Sequence, residues 1–508
     1  MSNHPNGFMF EINAYVFLNR LSKELKRKIT LRNIPVKCWR DLKKQGFQYV
    51  WFMGVWQRSP ASREVSLTDE KLKEEYIQVL GKWSKEDVTG SPYAVSQYEP
   101  DERIGTLEDL KKLRKKLNAL GLKLILDFVP NHTGLDHPWS KEYPQRYICV
   151  DTKYFENHDQ ADFYKTAKDT YVAYGKDPYF PSWKDTLQLN YASPETREAL
   201  IETLLRIGSC CDGLRCDMAM LVMNRIFQQT WSHLLHDTKM PEEEFWVTAI
   251  KSVKAKFPDF VFIAESYWDL EWELQQMGFN YTYDKRLYDR LVRSSADDIR
   301  GHLRADEEYQ QKSLRFIENH DEPRILSLVP PDRAQAAAVV AATVPGLKLI
   351  FDGQMEGKKI RIPVHLGVEP KEDINPKNTV FYQQLMKFIN DGVLINGDWQ
   401  LVDVRKAWEG NESFHNTLAW QWSFRSEIKI VIVNFSDTES QARIFWSDLK
   451  TKGEALTFSD HSQQDVYERK TDELREHGLY VSLPPWKSHW FSIKESKTVE
   501  PEKEKAFA

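Results

Sequence analysis

Eight short apolar segments, separated by stretches with helical spacing, constrain the fold of this chain more than any other feature. Nearly continuous apolar runs such as Phe47–Val55 are typical of strands that are covered on both faces. Strand–helix alternation favours parallel pairing with right-handed crossovers, so eight such units predict an α/β fold, a (β/α)8 barrel. The strand candidates are Phe8–Phe17, Phe47–Val55, Leu122–Val129, Asp212–Cys216, Phe260–Ala264, Gly278–Tyr283, Leu314–Ile317 and Leu347–Phe351.

Helical signals lie between these segments. Thr106–Leu120 begins with a Thr cap and an acidic first turn and ends before Gly121, as a helix should. Pro194–Ile207 and Lys285–Arg304 also have helical patterns, whereas the charge-rich stretch Arg58–Gly90 indicates an excursion over the surface.

The alternation is interrupted once and then ends, which divides the chain. Residues 134–189 are irregular and rich in Tyr, Asp, Pro and His, and they are too long for a simple loop. We therefore expect an inserted small domain after the third strand of a barrel formed by 1–133 and 190–396. Short alternating segments over 397–494 predict a C-terminal antiparallel β-sandwich, and the Lys/Glu-rich tail 495–508 is expected to be disordered.

Composition excludes some classes of partner. A net charge of −5 over 508 residues argues against a nucleic-acid partner bound through a basic surface. The five cysteines are an odd number, and neither a secretory signal nor an apolar membrane span is recognisable, so we expect a reduced, cytoplasmic protein without a membrane partner. Aromatic residues make up 13% of the chain, which suits the stacking of sugar rings.

Polar residues follow four of the strand candidates at the point where each strand ends. Since the carboxyl ends of barrel strands meet at one rim, where active sites lie on this fold, we expect these side chains to converge. They are Asn131, His132, Asp217, Glu265, Asn319, His320 and Asp321.

Arg215 and Asp217 lie two residues apart, so both side chains should point to the same side of their strand. A neighbouring guanidinium favours the ionised carboxylate, which suits a nucleophile but also an ordinary structural ion pair. Two further acids on the same rim favour a catalytic role over that of a structural ion pair. Crowded carboxylates raise one another's pKa, and a protonated acid facing an ionised one is what glycosidic bond cleavage requires. Phosphoryl transfer would call for a Gly-rich phosphate loop, and none is recognisable.

Four stretches resemble the four conserved regions of the α-amylase family of glycoside hydrolases, in the family's order and at comparable intervals. The segments Pro92–Tyr98, Leu187–Asn190 and Gly346–Gly353 are similar to further family motifs, and the likeness spans about Phe8–Asn390. The four stretches are Asp127–His132, Gly213–Asp217, Phe262–Glu265 and Phe316–Asp321.

The resemblance implies a retaining mechanism on malto-oligosaccharides or a related short α-glucoside. Asp217 would be the nucleophile, Glu265 the general acid and then base, and Asp321 the carboxylate that binds sugar hydroxyls and stabilises the transition state. It further implies that His132 and His320 hydrogen-bond the sugar in the first subsite and that Tyr93 stacks on it. Arg215 would orient Asp217.

Two neighbouring residues have other expected roles. Asp127 falls within its strand, which favours a structural hydrogen-bonding role. Asn131 matches a position that binds calcium in many family members, yet calcium needs six to eight oxygens and the sequence does not identify the others, so a structural Asn is favoured and a calcium site is left open. We therefore assign no metal and no cofactor.

The acceptor side is left open by the sequence. Many starch-acting members carry Lys-His shortly after the nucleophile, where this chain has Met220 and Leu221. Apolar residues there weaken the case for long starch chains and keep a transglycosylase or isomerase, such as a trehalose-synthase-like enzyme, as an alternative. A non-catalytic carbohydrate-binding or scaffold member is a third possibility, although such members usually lack one of the three acids.

Overall fold

The computed structural model describes residues 6–166, 170–235, 238–445 and 453–496, and these form two compact units. The first unit comprises Met1–Tyr288, Asp306–Leu328 and Gly346–Thr379. The second comprises Asp289–Ala305, Val329–Pro345 and Val380–Ala508.

Eight parallel strands close into a barrel within the first unit, and the predicted α/β barrel class is confirmed. Each strand pairs with its neighbours in the sequence and the last pairs with the first, which is the order that successive right-handed crossovers produce. The strands are β1 Phe8–Asn13, β2 Tyr49–Met53, β3 Lys123–Phe128, β4 Gly213–Cys216, β5 Val261–Ala264, β6 Tyr281–Tyr283, β7 Ser313–Arg315 and β8 Leu347–Phe351.

Helices of the first unit lie between these strands and within the loops that connect them. The Thr106 cap is confirmed, because Thr106 and Asp109 exchange side-chain and backbone hydrogen bonds in a capping box at the start of Leu107–Ala119. The helices are Ala14–Glu24, Val36–Gln45, Pro60–Thr68, Glu70–Leu80, Leu107–Ala119, Trp139–Glu142, Thr152–Asn157, Pro194–Ile207, Asn224–Leu235, Phe245–Lys256, Glu271–Gln276, Glu307–Gln311 and Ile325–Leu328, with 3-10 turns at Pro144–Arg146, Gln160–Asp162 and Ala219–Val222.

Local capping explains where the sequence-based bounds were wrong. The first strand ends at Asn13 rather than Phe17, because the Asn13 side chain accepts a hydrogen bond from Val16 N and starts a helix at Ala14. The excursion Arg58–Gly90 contains two helices, Pro60–Thr68 and Glu70–Leu80.

The stretch Lys285–Arg304, which has a helical pattern, does not form one continuous helix. Two helices, Lys285–Arg293 and Ala296–His302, occupy this stretch, since Ser295 forms a capping box with Asp298 and so begins a new helix.

A small antiparallel sheet occupies the interval predicted to be an inserted domain. Its five strands come from the segment that follows β3, with His132–Gly134 at one edge. The other four are Cys149–Val150, Phe163–Lys165, Tyr171–Gly175 and Trp183–Gln188. A separate two-stranded sheet pairs Trp56–Arg58 with Val95–Pro100.

Two antiparallel sheets form the C-terminal part of the second unit, and the predicted antiparallel β domain is confirmed. Their inner faces share one apolar core, to which Ile432 of the larger sheet and Ile444 of the smaller sheet both belong. The larger sheet contains Asp398–Leu401, Thr417–Phe424, Glu427–Asn434, Ala455–Asp460, Val466–Lys470 and Ser488–Glu495, and the smaller one Asp403–Lys406, Ser440–Phe445 and Leu479–Leu483.

Helices of the second unit are Ala296–His302, Pro331–Thr343, Val393–Asn396 and Thr471–His477, with a 3-10 turn at Ser413–Asn416. Two more, Lys285–Arg293 and Pro376–Ile389, include residues of both units. In the described part of the chain, no helix is both long enough and apolar enough to cross a bilayer. The domain boundaries stay predictions, and 497–508 of the tail predicted to be disordered lie outside the described residues.

Two glycines provide a matched test of the backbone. Gly346 precedes β8 with φ +103°, and a Cβ there would lie 2.2 Å from the Ser313 carbonyl oxygen. Gly301 lies inside the helix Ala296–His302, and a Cβ there would have no neighbour within 4 Å. We expect Gly346→Ala to destabilise the protein by about 3 kcal/mol or more, and Gly301→Ala to stabilise it by about 0.5–1 kcal/mol. Urea unfolding checks both, and equal effects of the two substitutions would contradict the prediction.

Candidate active site

The backbone ladder of the barrel continues past the strand ends and positions two of the acids. Asp217 N donates to Phe128 O at 2.8 Å, and Glu265 N donates to Cys216 O at 3.0 Å. Each acid is therefore held by the neighbouring strand as well as by its own. This arrangement brings Asp217 and Glu265 to one rim, as the sequence predicts.

Arg215 lies among the three acids. Its Nη1 donates to Asp217 Oδ1 at 2.6 Å, and its Nη2 forms an ion pair with Glu265 Oε2 at 2.8 Å. Asp321 Oδ2 lies 4.0 Å from the same Nη2. One guanidinium thus lies within 4.0 Å of a carboxylate oxygen of each acid, and the predicted convergence of these acids is present.

Three aromatic rings enclose this guanidinium. Its carbon lies 5.3 Å from the Trp51 ring centroid, 5.2 Å from that of Tyr93 and 5.5 Å from that of Tyr283. The Arg215 Nε also donates to the Tyr283 hydroxyl at 3.2 Å. Arg215 is fully buried. Its charge is therefore compensated by the rings and the carboxylates rather than by solvent.

Glu265 has the properties of a proton-carrying acid. Burial raises its pKa to about 7, and the charges of Asp217 and Asp321 add to that shift while Arg215 opposes it. Met218 N donates to Glu265 Oε2 at 2.7 Å, and the Tyr267 hydroxyl donates to Oε1 at 2.8 Å. Both oxygens are thus held in place, and a proton is retained near neutral pH.

Asp217 and Asp321 differ in pKa although both lie near Arg215. Burial raises the pKa of Asp217, and Arg215 opposes that shift without cancelling it. The sequence predicts that Arg215 keeps Asp217 ionised. This expectation is corrected, because the Asp217 pKa is raised despite the neighbouring guanidinium. For Asp321, whose side chain is 42% exposed, His320 and Arg215 outweigh the partial desolvation of the carboxylate and lower its pKa to about 2.

His320 links Asp321 to a buried acid of β1. Its Nδ1 donates to Glu11 Oε1 at 2.6 Å, and its Nε2 lies 2.9 Å from Asp321 Oδ2 and 2.5 Å from the Tyr93 hydroxyl. Burial acts to lower the His320 pKa, yet the charges of Asp321 and Glu11 raise it to about 10. His320 is therefore an imidazolium between two carboxylates, with the half-buried Tyr93 ring beside it.

His132 has the opposite charge state. Burial lowers its pKa to about 3, so this imidazole is neutral. It contacts the Asn131 amide at 3.4 Å and the edge of the Trp183 ring, with 5.3 Å between ring centroids. Among the described contacts of His132, none is to a carboxylate. The two histidines assigned to sugar binding therefore present different chemistry.

Asp127 makes the structural hydrogen bonds expected of it. Trp51 Nε1 donates to one carboxylate oxygen at 3.0 Å and Gly54 N to the other at 2.8 Å. The side chain is 1% exposed. Asp127 thus fixes the loop that follows β2 beneath the rim.

Asn131 does not fit a calcium site. Its Oδ1 accepts a hydrogen bond from Gln188 Nε2 at 3.0 Å, and its Nδ2 donates to Gln188 Oε1 at 3.2 Å. The side-chain amide of Asn131 is thus hydrogen-bonded through both its oxygen and its nitrogen to the side-chain amide of Gln188. The described residues contain no group of three or more His, Cys, Asp or Glu side chains that could hold a metal. No catalytic step is assigned to a metal.

Met220 and Leu221, which replace the family's Lys-His pair, lie in the 3-10 turn Ala219–Val222. Their side chains are 0% and 3% exposed. They pack into the protein and offer almost no surface to an acceptor sugar. The acceptor side therefore lacks a polar contact from this turn.

Four residues around Arg215 and its acids were not singled out from the sequence: Glu11, Trp51, Tyr267 and Tyr283. Glu11 did carry a signal, since it is a lone acid in the apolar strand Phe8–Asn13. Tyr267 lies two residues beyond Glu265, outside any strand. Tyr283 looked like an ordinary strand aromatic, and only closure of the barrel brings its hydroxyl to Arg215.

Comparison with known proteins gives related sequences. The family model "Alpha amylase, catalytic domain" matches residues 42–391. Alpha-amylase 3 of Dictyoglomus thermophilum is 25% identical over 288 residues, or 52% of this chain and 53% of that protein. An alpha-glucosidase of Candida albicans is 24% identical over 445 residues, 77% of this chain and 76% of that protein. This chain thus spans about half the length of the first relative.

A solved structure gives the same fold. The maltogenic alpha-amylase AmyB from Thermotoga neapolitana superposes with a TM-score of 0.69 at 19% identity, covering 97% of this chain and 99% of that one. At this identity the likeness establishes the fold alone. Because the family model spans more than half of the sequence, the chain belongs to the alpha-amylase family of glycoside hydrolases.

Proposed function

We propose that this protein is a retaining glycoside hydrolase that cleaves α-glucosidic bonds of malto-oligosaccharides or a related short α-glucoside. The observation that carries the proposal is the set of three carboxylates around Arg215, whose pKa values are pushed apart. Glu265 keeps a proton near pH 7, whereas Asp321 is ionised. Glycosidic cleavage by retention uses one carboxyl group as acid and another as nucleophile.

The shared guanidinium couples the states of Asp217 and Glu265. When Glu265 carries the proton, its negative charge no longer repels that of Asp217, and Arg215 can then favour the Asp217 carboxylate. The reactive state is thus a protonated Glu265 beside an ionised Asp217. In this state the two roles implied by the family motifs are both filled.

The proposed reaction has two displacements. An Asp217 oxygen bonds to the anomeric carbon as the glycosidic bond breaks, and the Glu265 proton passes to the leaving oxygen. Glu265, now a carboxylate, then takes a proton from water, whose oxygen attacks the anomeric carbon and releases Asp217. Two inversions give net retention, and both carboxyl groups return to their starting states.

Asp321 and His320 supply a charged pair for sugar hydroxyls. The carboxylate accepts hydrogen bonds from hydroxyl groups, and the imidazolium supports its charge from the other side. Tyr93 lies beside this pair and offers a ring face for a sugar. Neutral His132 would donate to or accept from a hydroxyl without adding charge.

Transfer to a sugar acceptor is the alternative that one observation favours. Met220 and Leu221 are buried, so this turn provides no polar contact for a long chain on the acceptor side. A transglycosylase or isomerase would use the same three acids and differ only in what attacks the glycosyl-enzyme. A non-catalytic role is less well supported, since all three acids are present and contact Arg215. A cytoplasmic location also stays a proposal.

Product analysis on a panel of α-glucosides tests the proposal. We expect proton NMR to detect α-glucose as the first sugar released from p-nitrophenyl α-glucoside, whose leaving group is not a sugar, before mutarotation produces the β-anomer, and we expect net release of glucose from maltose and maltotriose. First release of the β-anomer would contradict retention. New disaccharides or longer products without net glucose release would instead support the transfer reaction.

Azide distinguishes the roles of Asp217 and Glu265. Asp217→Gly should lower kcat by about 10³-fold or more. Azide, which takes the place of the missing carboxylate, should displace fluoride from α-glucosyl fluoride with inversion and give the β-glucosyl azide. Glu265→Ala still forms the glycosyl-enzyme from the fluoride, so a second inversion by azide should give the α-glucosyl azide. The same azide anomer from both variants would contradict the assignment.

The pH dependence tests Tyr267 as a positioning residue. Because Glu265 must be protonated as the acid, kcat/KM should fall as pH rises through about 7. Tyr267→Phe removes a donor that stabilises the ionised form, so the alkaline limb should move up by about half a unit to one unit. Glucosyl fluoride, which needs no proton on its leaving group, provides the control substrate. An unchanged or lowered limb would contradict the role of Tyr267.

A further inference from the structure

A cavity of about 640 Å³ lies at the amino ends of four neighbouring barrel strands, the opposite ends from the three carboxylates. Tyr49 and Lys123 are the first residues of β2 and β3, and they are register partners. Asp212 and Phe260 immediately precede β4 and β5. This volume lies within the range of about 300–1,000 Å³ that is typical of small-molecule sites.

The lining of the cavity carries an excess of positive charge. Its basic side chains are those of Lys43, Arg114, Lys123 and Lys256, and its acids are Asp212 and Asp259. Asp212 is already satisfied, because it accepts hydrogen bonds from Arg114, Asn118 and the Leu124 amide. The cavity is therefore suited to an anion rather than to a cation.

Tyr49 gives the cavity a buried donor. This residue is 1% exposed, and it is one of those that line the cavity. Burial and the nearby Asp212 raise its pKa to about 12, so the hydroxyl keeps its proton. A protonated hydroxyl in the lining can donate a hydrogen bond to an acceptor in the cavity.

Apolar side chains form the remaining wall. Leu122, Phe257, Pro258 and Phe260 line the cavity beside the charged groups. A bare inorganic anion would leave this surface exposed to water, whereas a molecule with a ring or carbon skeleton would cover it. The wall thus favours an organic anion.

We propose that this cavity is a second binding site, separate from the carboxylate rim, for a small phosphorylated organic molecule. Its phosphate oxygens accept hydrogen bonds from Tyr49 and are balanced by Lys123 and Lys256, while its carbon skeleton packs on Phe257 and Phe260. The inference does not rest on the proposed hydrolytic activity, because none of these residues belongs to the carboxylate rim.

Isothermal titration of the full chain with glucose 6-phosphate, glucose and inorganic phosphate tests the site. We expect glucose 6-phosphate to bind with a Kd below about 1 mM and both other probes at least about tenfold more weakly. The absence of saturable binding of glucose 6-phosphate at about 10 mM would overturn the proposal. If inorganic phosphate bound as tightly as glucose 6-phosphate, the inference that the ligand carries a carbon skeleton would be overturned.

Matched variants locate the binding. Lys251 and Lys256 both lie exposed on the helix Phe245–Lys256, but only Lys256 lines the cavity. Lys256→Glu should weaken glucose 6-phosphate binding about tenfold, and Lys251→Glu should change it less than about twofold. Tyr49→Phe, which removes one oxygen only, should weaken it several-fold without altering maltose turnover. Equal effects of the two lysine variants would show that general surface charge is responsible and would overturn the site.

Discussion

The buried charge of Arg215 is the interaction on which the candidate active site depends. It contacts Asp217 and Glu265 directly and lies within reach of Asp321, while three aromatic rings exclude water from it. Three carboxylates placed this close together would otherwise repel one another in a poorly solvated environment. The positive charge of the guanidinium offsets this repulsion, and burial then determines which acid keeps a proton. The stability of the rim and its chemistry therefore have one physical origin.

The closed barrel explains why these groups meet. Parallel strands with right-handed crossovers point their carboxyl ends the same way, so residues far apart in sequence share a rim. Closure also brings β1 beside β8, with Glu11 in register with Phe351. This is how an acid near the start of the chain reaches His320, about three hundred residues later. The charge of His320, and through it the low pKa of Asp321, depends on that closure.

Local signals predicted much of the fold because they depend on nearby residues only. The Thr106 capping box is an example, since every atom it needs lies within four residues. The same local effects caused the errors. Asn13 ends the first strand early, and Ser295 divides a helix that periodicity alone made continuous. Apolar spacing specifies the kind of element, whereas a single capping side chain specifies where it ends.

The sequence by itself determined the eight strand–helix units, the order of the motifs and the identity of the three acids, because these follow from periodicity and from residues adjacent to strand ends. Tertiary structure decided how those acids are charged. Which carboxyl group keeps a proton depends on burial and on charges contributed by other strands. The contacts of Glu11, Tyr267 and Tyr283, and the amide pair of Asn131 with Gln188, likewise appear only when separate segments pack together. Burial and long-range charge are properties of the packed barrel, and no local pattern encodes them.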